Sequence, residues 1–370
     1  MPAIWHLAPR CSPDKIILPF QAFFSVIYSH FRIEMRKTVC FIVLIAVWKL
    51  ASAQDPNFSQ FFASPLTLNP ALTGKFDGVV RVAGNYRNQW PTINNAFTTY
   101  TASIDAGILK NNIPQFDQFG VGLLAFSDKS GNGALQNNFL GISTAYHKAL
   151  DENGYNQFGL GFQGTFVSKT LNVNGLHFED MLRSDGFTGI TTESFSNTNM
   201  NVSYFDLNVG MLFNGSTDGA NNYYVGASMY HVTRPKESFQ EGSYIKDPRV
   251  TIQAGGMLPL AEENAVHFSA IHSRQAGAVN TVFGGAYMLN LNNDPERITN
   301  LYLGSWFRLG DAAIPYIGLE VGSLRFGGSY DVNTSSLKPG SNMRGGAEFS
   351  LIYVKKPNDP FAKKLNCPKF

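Results

Sequence analysis

Several short segments carry residue types and spacings from which chemistry is built elsewhere. Gly159-Leu160-Gly161-Phe162-Gln163-Gly164 has the G-x-G-x-x-G spacing that, between a strand and a helix, brings backbone amides around a pyrophosphate. Here Gly159 and Gly161 alternate with Phe158, Leu160 and Phe162, so they read as small inward residues of a strand. His267 and His272 lie five apart with no Glu beside the first, which breaks the zinc-protease pattern and places them on opposite faces of a strand. Asp128 to Gly133 offers oxygen side chains but lacks the spaced acids and closing Glu of an EF-hand, and reads as a polar turn. Asp105, Asp206, Glu320, Asp331 and Glu348 share the inward phase with Arg81, Arg249, Arg308 and Arg325 as prospective partners. Pairing is favoured over acid–base work, because an unpaired buried charge is costly. No nucleophile has a base beside it. No enzyme activity, cofactor or metal site is expected.

The elements that must position these residues alternate apolar with small or polar residues at period two, in segments of about ten, from Phe76 onward. Between Thr98 and Gly107 one face is Tyr100, Ala102, Ile104 and Ala106, and the other is Thr99, Thr101, Ser103 and Asp105. Fourteen strands are predicted, starting near residues 77, 97, 117, 137, 156, 202, 221, 249, 264, 280, 298, 314, 324 and 344. The polar face carries Gly, Ser, Thr and Asn rather than Lys, Glu and Arg, so it reads as a lumen and not as the solvated face of a sandwich. The fold expected is all-β, a closed antiparallel transmembrane barrel. With both barrel ends in the periplasm, the long connections near 169 to 201, 232 to 248 and 332 to 343 fall outside the cell, and the tight turn Gly322-Ser323 falls inside.

Composition agrees. Only 15% of the 370 residues are charged, against roughly 25% in soluble domains, and the net charge of +2 gives no electrostatic case for nucleic acid. Met35-Arg36-Lys37, the apolar run Val39 to Val47 and Ala51-Ser52-Ala53 have the form of a cleaved signal peptide with Gln54 as the mature start. Cys40 has no lipobox before it. The expected organisation is an upstream extension at 1–34, a signal peptide at 35–53, a periplasmic arm at 54–75, the barrel at 76–354 and a periplasmic tail at 355–370. Cleavage removes six basic and two acidic residues, leaving 23 against 25, a net of −2. It also leaves Cys367 as the single cysteine, so no internal disulfide forms.

Asp55-Pro56-Asn57-Phe58-Ser59-Gln60-Phe61-Phe62, followed by Asn69-Pro70-Ala71 and Gly74, resembles the opening of the PorP/SprF family of Bacteroidetes outer-membrane proteins. The resemblance continues through Tyr86-Arg87-Asn88-Gln89-Trp90-Pro91, Tyr224-Val225-Gly226 with His231, Leu303 to Arg308 with Trp306, Gly328-Ser329-Tyr330-Asp331, Gly346 to Leu351 with Glu348, and Cys367-Pro368-Lys369-Phe370. The Gly327-Gly328 pair and the missing His before Glu348 depart from the family pattern, as does Ser273 to Asn280. The resemblance implies an outer-membrane component of the type IX secretion and gliding machinery, assisting export or surface attachment of large adhesin-like proteins. It implies as partners outer-membrane lipid, the C-terminal domain of a secreted protein and periplasmic secretion-ring components. Asn69, Pro70, Arg87, Asn88, Gln89, Trp90, Pro91, His231, Trp306, Arg308, Tyr330, Asp331 and Glu348 are the motif residues on which contacts would fall. Trp90 and Trp306 are expected in interfacial girdles. The competing reading is a channel for small solutes; a soluble carbohydrate-binding β protein is a third.

Overall fold

The computed structural model describes residues 55–93, 96–109, 113–184, 186–193, 199–239, 244–292, 298–357 and 367. The expected extension, signal peptide and Gln54 start, and most of the tail including Pro368-Lys369-Phe370, lie outside the described residues.

The strands are β1 (Val80–Gln89), β2 (Phe97–Ile108), β3 (Gln118–Ser130), β4 (Leu135–Ala149), β5 (Gln157–Asn172), β6 (Leu182–Arg183), β7 (Gly186–Phe187) and β8 (Asn199–Gly215). They continue as β9 (Asn222–Tyr230), β10 (Arg249–Pro259), β11 (Ala265–Gln275), β12 (Ala278–Asn292), β13 (Thr299–Arg308), β14 (Ala312–Val321), β15 (Leu324–Asn333) and β16 (Arg344–Lys355). Apart from the small hairpin β6–β7, every strand pairs with its neighbour in a closed barrel that β1 and β16 seal over ten residues, from Val80↔Lys355 to Gln89↔Gly346. All fourteen expected strands are present, each starting within three residues of its expected position. Closure satisfies every strand edge, which is what a sheet in hydrocarbon requires.

The face assignment holds along β2, where Thr99, Thr101, Ser103 and Asp105 are buried inside and Tyr100 and Ile104 are exposed outside. Phe205, Ile142 and Leu140, exposed by 77%, 70% and 66%, show the same outward apolar surface. His267 faces in and His272 out, and Gly159 and Gly161 face in, as the alternation requires. Asp128 ends as a buried acceptor for the Thr99 hydroxyl at 2.6 Å, beside a turn over residues 131–134.

The three long connections, 173–198, 231–248 and 334–343, sit at one end of the barrel, here called the loop end; Val80 and Lys355 mark the other, terminal end. The contrast in turn length is weaker than expected. Ala276-Gly277 at the loop end is as tight as Gly322-Ser323 at the terminal end, its residues taking φ of 48° and 86° as a two-residue hairpin demands.

Two expectations are corrected. Residues 55–75 are not a free arm outside the barrel: from Phe58 on they are buried almost throughout and run down through its lumen, leaving a cavity of ≈ 300 Å³ toward the terminal end. Trp306 is no girdle residue either. It is 1% exposed and points inward, with Phe61, Ile271, Val282, Tyr302, Ile314 and Tyr316 in an apolar cluster between the arm and β11–β14. The alternation fixed which residues share a face, but the arm supplies apolar partners inside, so part of the inner wall is apolar as well.

Glycines on the inner wall make room for the arm. A Cβ on Gly161 would overlap the backbone of Pro70 and Ala71, and one on Gly120 would overlap that of Thr73. Gly161→Val is therefore expected to dislodge residues 69–74 and make the arm at least tenfold more susceptible to limited proteolysis, with the barrel's heat-modifiable migration kept. Unchanged cleavage kinetics would contradict this placement of the arm.

Candidate functional site: the filled lumen and its loop-end mouth

The arm begins at the loop end and descends. Asp55 meets residues at the loop ends of β9, β10 and β11, whereas Lys75 donates to Gln118 and Gln157, the first residues of β3 and β5 at the terminal end. Between them the principal contacts of the arm fall into four sets.

In the first, Ser59 and Gln60 are held by charges from four strands. Both Glu348 oxygens accept backbone amides, from Ser59 at 2.8 Å and Gln60 at 2.9 Å. Arg87 bridges Glu348 at 3.0 Å and Asp331 at 2.7 Å, and Arg308 reaches Asp331 at 2.8 Å. The Ser59 hydroxyl donates to Asp331 and accepts from Arg87 and Arg308. Arg308 also reaches Asp311 at 3.1 Å, so two guanidinium groups serve three carboxylates, and multiple hydrogen bonds offset the cost of burying them. Gln60 completes it, donating to the Glu348 carbonyl at 2.9 Å and accepting from Ser350 at 2.7 Å.

Aromatic packing makes the second set. Phe62 lies against Trp306 with ring centres 5.0 Å apart and edge-on to Tyr316 at 5.4 Å, while the Trp306 indole donates to Ser269 at 3.0 Å. In the third, Asn69 caps the short helical turn Pro70–Leu72 by accepting from the Ala71 amide at 2.8 Å. Its amide nitrogen donates to the Met211 and Ala227 carbonyls of β8 and β9. Pro70 sits in the space left by Gly161. Lower down, the Gly74 amide donates to Asp105 at 2.7 Å, and Arg81 clasps the same carboxylate with two nitrogens.

The structure thus brings Arg87, Arg308, Asp331 and Glu348 together around Ser59, with Trp306 below and Asn69-Pro70 on the opposite wall. His231 lies at the loop-end mouth. Gln89 closes β1 and Trp90, at φ 53°, packs edge-on to Phe97 in the turn that follows, where Pro91 is exposed. Asn88 and Tyr330 lie on the outward phase of β1 and β15 and touch none of these groups. The inward acids pair largely as expected, Arg81 with Asp105, Arg308 with Asp331 and Arg325 with Glu320. Arg249 instead faces Asp55, and Asp206 holds His231. Cys367 is free and buried.

At the mouth, His231 bridges two carboxylates, Nε2 to Asp55 and Nδ1 to Asp206, each at 2.6 Å. Ionised carboxylates only accept, so a ring serving both is an imidazolium. Burial disfavours that charge, but Asp55 and Asp206 outweigh it and raise the His231 pKa. Burial likewise pushes the Asp55 carboxyl up, and Lys246, His231 and Arg249 overcome it and hold it well below the usual range. Asp55 contributes stability above its unfolded value, lost as pH falls through its lowered pKa. His231 contributes stability below its unfolded value, lost as pH rises through its raised pKa. The contact is fully formed between about pH 4 and 6.5, and losing the charged His231 bond costs about 1.5–3 kcal/mol. A spin label on Asn57→Cys in a Cys367→Ser background should therefore become more mobile as pH rises above the His231 transition. Spectra that do not change from pH 5 to 9 would contradict it.

The family described as "Type IX secretion system membrane protein PorP/SprF" matches residues 50–353. The chain belongs to this family. This PorP/SprF protein is accordingly an outer-membrane β-barrel of the type IX secretion system. No curated protein matches it. Solved structures similar to it include a deltaS2S3 mutant of the TodX monoaromatic hydrocarbon channel, at 11% identity and TM-score 0.46, covering 79% of this chain and 94% of that one. A FadL homologue from Pseudomonas aeruginosa gives 9% and 0.41, covering 77% and 92%. BamA from Haemophilus ducreyi lacking POTRA domains 1–3 gives 12% and 0.37, covering 75% and 69%. These are outer-membrane barrels, and nothing about cargo passes from them to this PorP/SprF chain.

Sequence reasoning missed Asp55, Lys246 and Ser59 as functional neighbours. Ser59 and Asp55 stood within a recognised motif, but nothing local to the motif says that its partners are Arg87, 28 residues on from Ser59, and His231, Arg308, Asp331 and Glu348, far beyond it.

Proposed function

We propose that the protein works without catalysis in the export or surface attachment of large adhesin-like proteins, with the loop end outside the cell holding the exported polypeptide. The carrying observation is the arm. With Phe58 to Lys75 buried inside the barrel, the loop-end half of the lumen is taken up by the chain itself, and the long loop-end connections are the surface left for partners. A solute channel needs the space that the arm occupies, which disfavours the competing reading. The motif residues gathered around Ser59 then serve the interaction indirectly, by fixing the wall from which the loops project.

The test is to tag the protein in its own cell, solubilise the outer membrane gently and identify what co-purifies. Enrichment of a large secreted protein, alone or with periplasmic secretion-ring components, is the expected outcome. Recovery of a partner-free barrel in several mild detergents would sink the proposal.

A further inference from the structure

We propose that the loop-end mouth is a carboxylate receptor that the chain's own Asp55 occupies at rest, and that an acidic residue of the exported polypeptide takes over that place. This rests on the reading of the loop end as the face that meets the exported chain.

The pocket is cationic by construction. Asp55 receives Lys246 at 2.9 Å on one oxygen, and on the other His231 at 2.6 Å and Arg249 at 3.6 Å. Each of these groups is fixed from behind. Asp206 holds the far nitrogen of His231, and itself accepts from Thr233 at 2.9 Å. Arg249 donates to the Thr67 carbonyl and lies over the Tyr230 ring, 4.4 Å from its centre. Lys246 is flanked by Glu237, which also pairs with Lys169. Among the described residues, and apart from the exposed Arg234–Asp247 pair, the cations at this mouth are Lys169, His231, Lys246 and Arg249, and the acids apart from Asp55 are Asp128, Asp206 and Glu237. Four against three leaves the pocket one carboxylate short whenever Asp55 is away.

The occupant is the most weakly embedded part of the arm. Asp55, Pro56 and Asn57 are half-buried and form no helix or strand, whereas Phe58 to Gln60 are buried and Ser59 and Gln60 are held by the charge set below. Beyond the carboxylate, Asp55 is tied by its amide to Gln275 at 2.8 Å. These few contacts can be exchanged while the rest of the arm stays in place. Exchange is required for entry, because the cleft beside Asp55 has only ≈ 40 Å³ free, enough for about one water and not for a second carboxylate. A residue tethered this closely competes at an effective concentration on the order of millimolar. An incoming acid therefore displaces it only when other contacts hold the newcomer nearby, and the long loops surrounding the mouth are placed to make them. The resting strap in this way screens out solitary acids and admits a docked chain.

The test uses the full-length mature protein in detergent, with Asp55→Ala emptying the pocket. The probe is a fluorescent pentapeptide copying residues 54–58, Gln-Asp-Pro-Asn-Phe, and its control carries Asn in place of the Asp. The Asp peptide is expected to bind Asp55→Ala at least tenfold more tightly than wild type. It should also exceed the Asn peptide by a similar factor, and lose its binding in Asp55→Ala/Lys246→Met. Equal binding of the two peptides, or equal binding to wild type and Asp55→Ala, overturns the proposal. In cells, recovery of the exported polypeptide should rise with Asp55→Ala and fall with Lys246→Met. Unchanged recovery overturns the exchange and leaves the secretion role standing, while no exported polypeptide with any form of the protein overturns both.

Discussion

Deleting residues 55–74 is expected to turn a barrel that passes no measurable current into one with discrete conductance steps in planar bilayers. The fourteen-stranded wall does not need the arm for its backbone hydrogen bonds, which run strand to strand and close between β1 and β16. Apart from the cations that meet Asp55 at the mouth, the charges the arm leaves behind keep partners on the wall. Arg87, Arg308, Asp331 and Glu348 balance one another, and Arg81 keeps Asp105, so water entering the lumen meets paired rather than isolated ions. The deletion exposes the inward cluster of Ile271, Val282, Trp306 and Ile314, which costs stability at about 25 cal/mol for each Å² of apolar surface returned to water. A weaker but closed barrel is the expected product, recognisable by heat-modifiable migration. Should that deletion fail to fold, Gly161→Val asks the same question by pushing the arm off the wall without shortening the chain. Steady conductance from the wild-type protein would contradict the filled lumen and revive the solute-channel reading.

The barrel was legible because alternation is a local signal with a physical cause repeated in every strand. Thr99 to Asp105 show it plainly: each odd residue must suit the interior and each even one the hydrocarbon, so two unlike environments print two unlike residue sets. The arm was not legible in this way. Phe58 to Lys75 has no period, contains only short helical turns, and draws its partners from strands far along the chain, as when Ser59 meets Asp331. Trp306 failed for a related reason. An aromatic in a membrane strand suits an interfacial girdle or an inner cluster equally well, and only Phe62 and Tyr316 beside it decide between them. The acid–arginine pairing was half legible, since phase alone placed the acids inside. Arg87 escaped as a partner because it was singled out only through the resemblance of Tyr86 to Pro91, not through the face it takes on its strand.

Arg87 is also where a single substitution should cost most. Its guanidinium is the one group that touches Glu348, Asp331 and the Ser59 hydroxyl together, from a side chain only 3% exposed. Arg87→Met leaves Asp331 with Arg308 but strips Glu348 of its cation, and a buried charge left without its partner typically costs about 3–5 kcal/mol. Glu348 still receives the Ser59 and Gln60 amides, which lowers that cost without cancelling it. Arg87→Lys keeps the charge and loses the planar fork that spans two carboxylates, so its cost should be intermediate. Ser59→Ala removes one hydroxyl from a set whose ions still meet, at about 1 kcal/mol. The expected order is Met, then Lys, then the Ser59 change, read as midpoints of the folded, heat-modifiable band in guanidinium. Because outer-membrane barrels unfold with hysteresis, unfolding rates at one fixed denaturant concentration give the same ranking a second, independent reading. If Arg87→Met unfolds within about 1 kcal/mol of wild type, the charge set is not what fixes the arm. The aromatic contact of Phe62 with Trp306 and Tyr316 would then be the anchor.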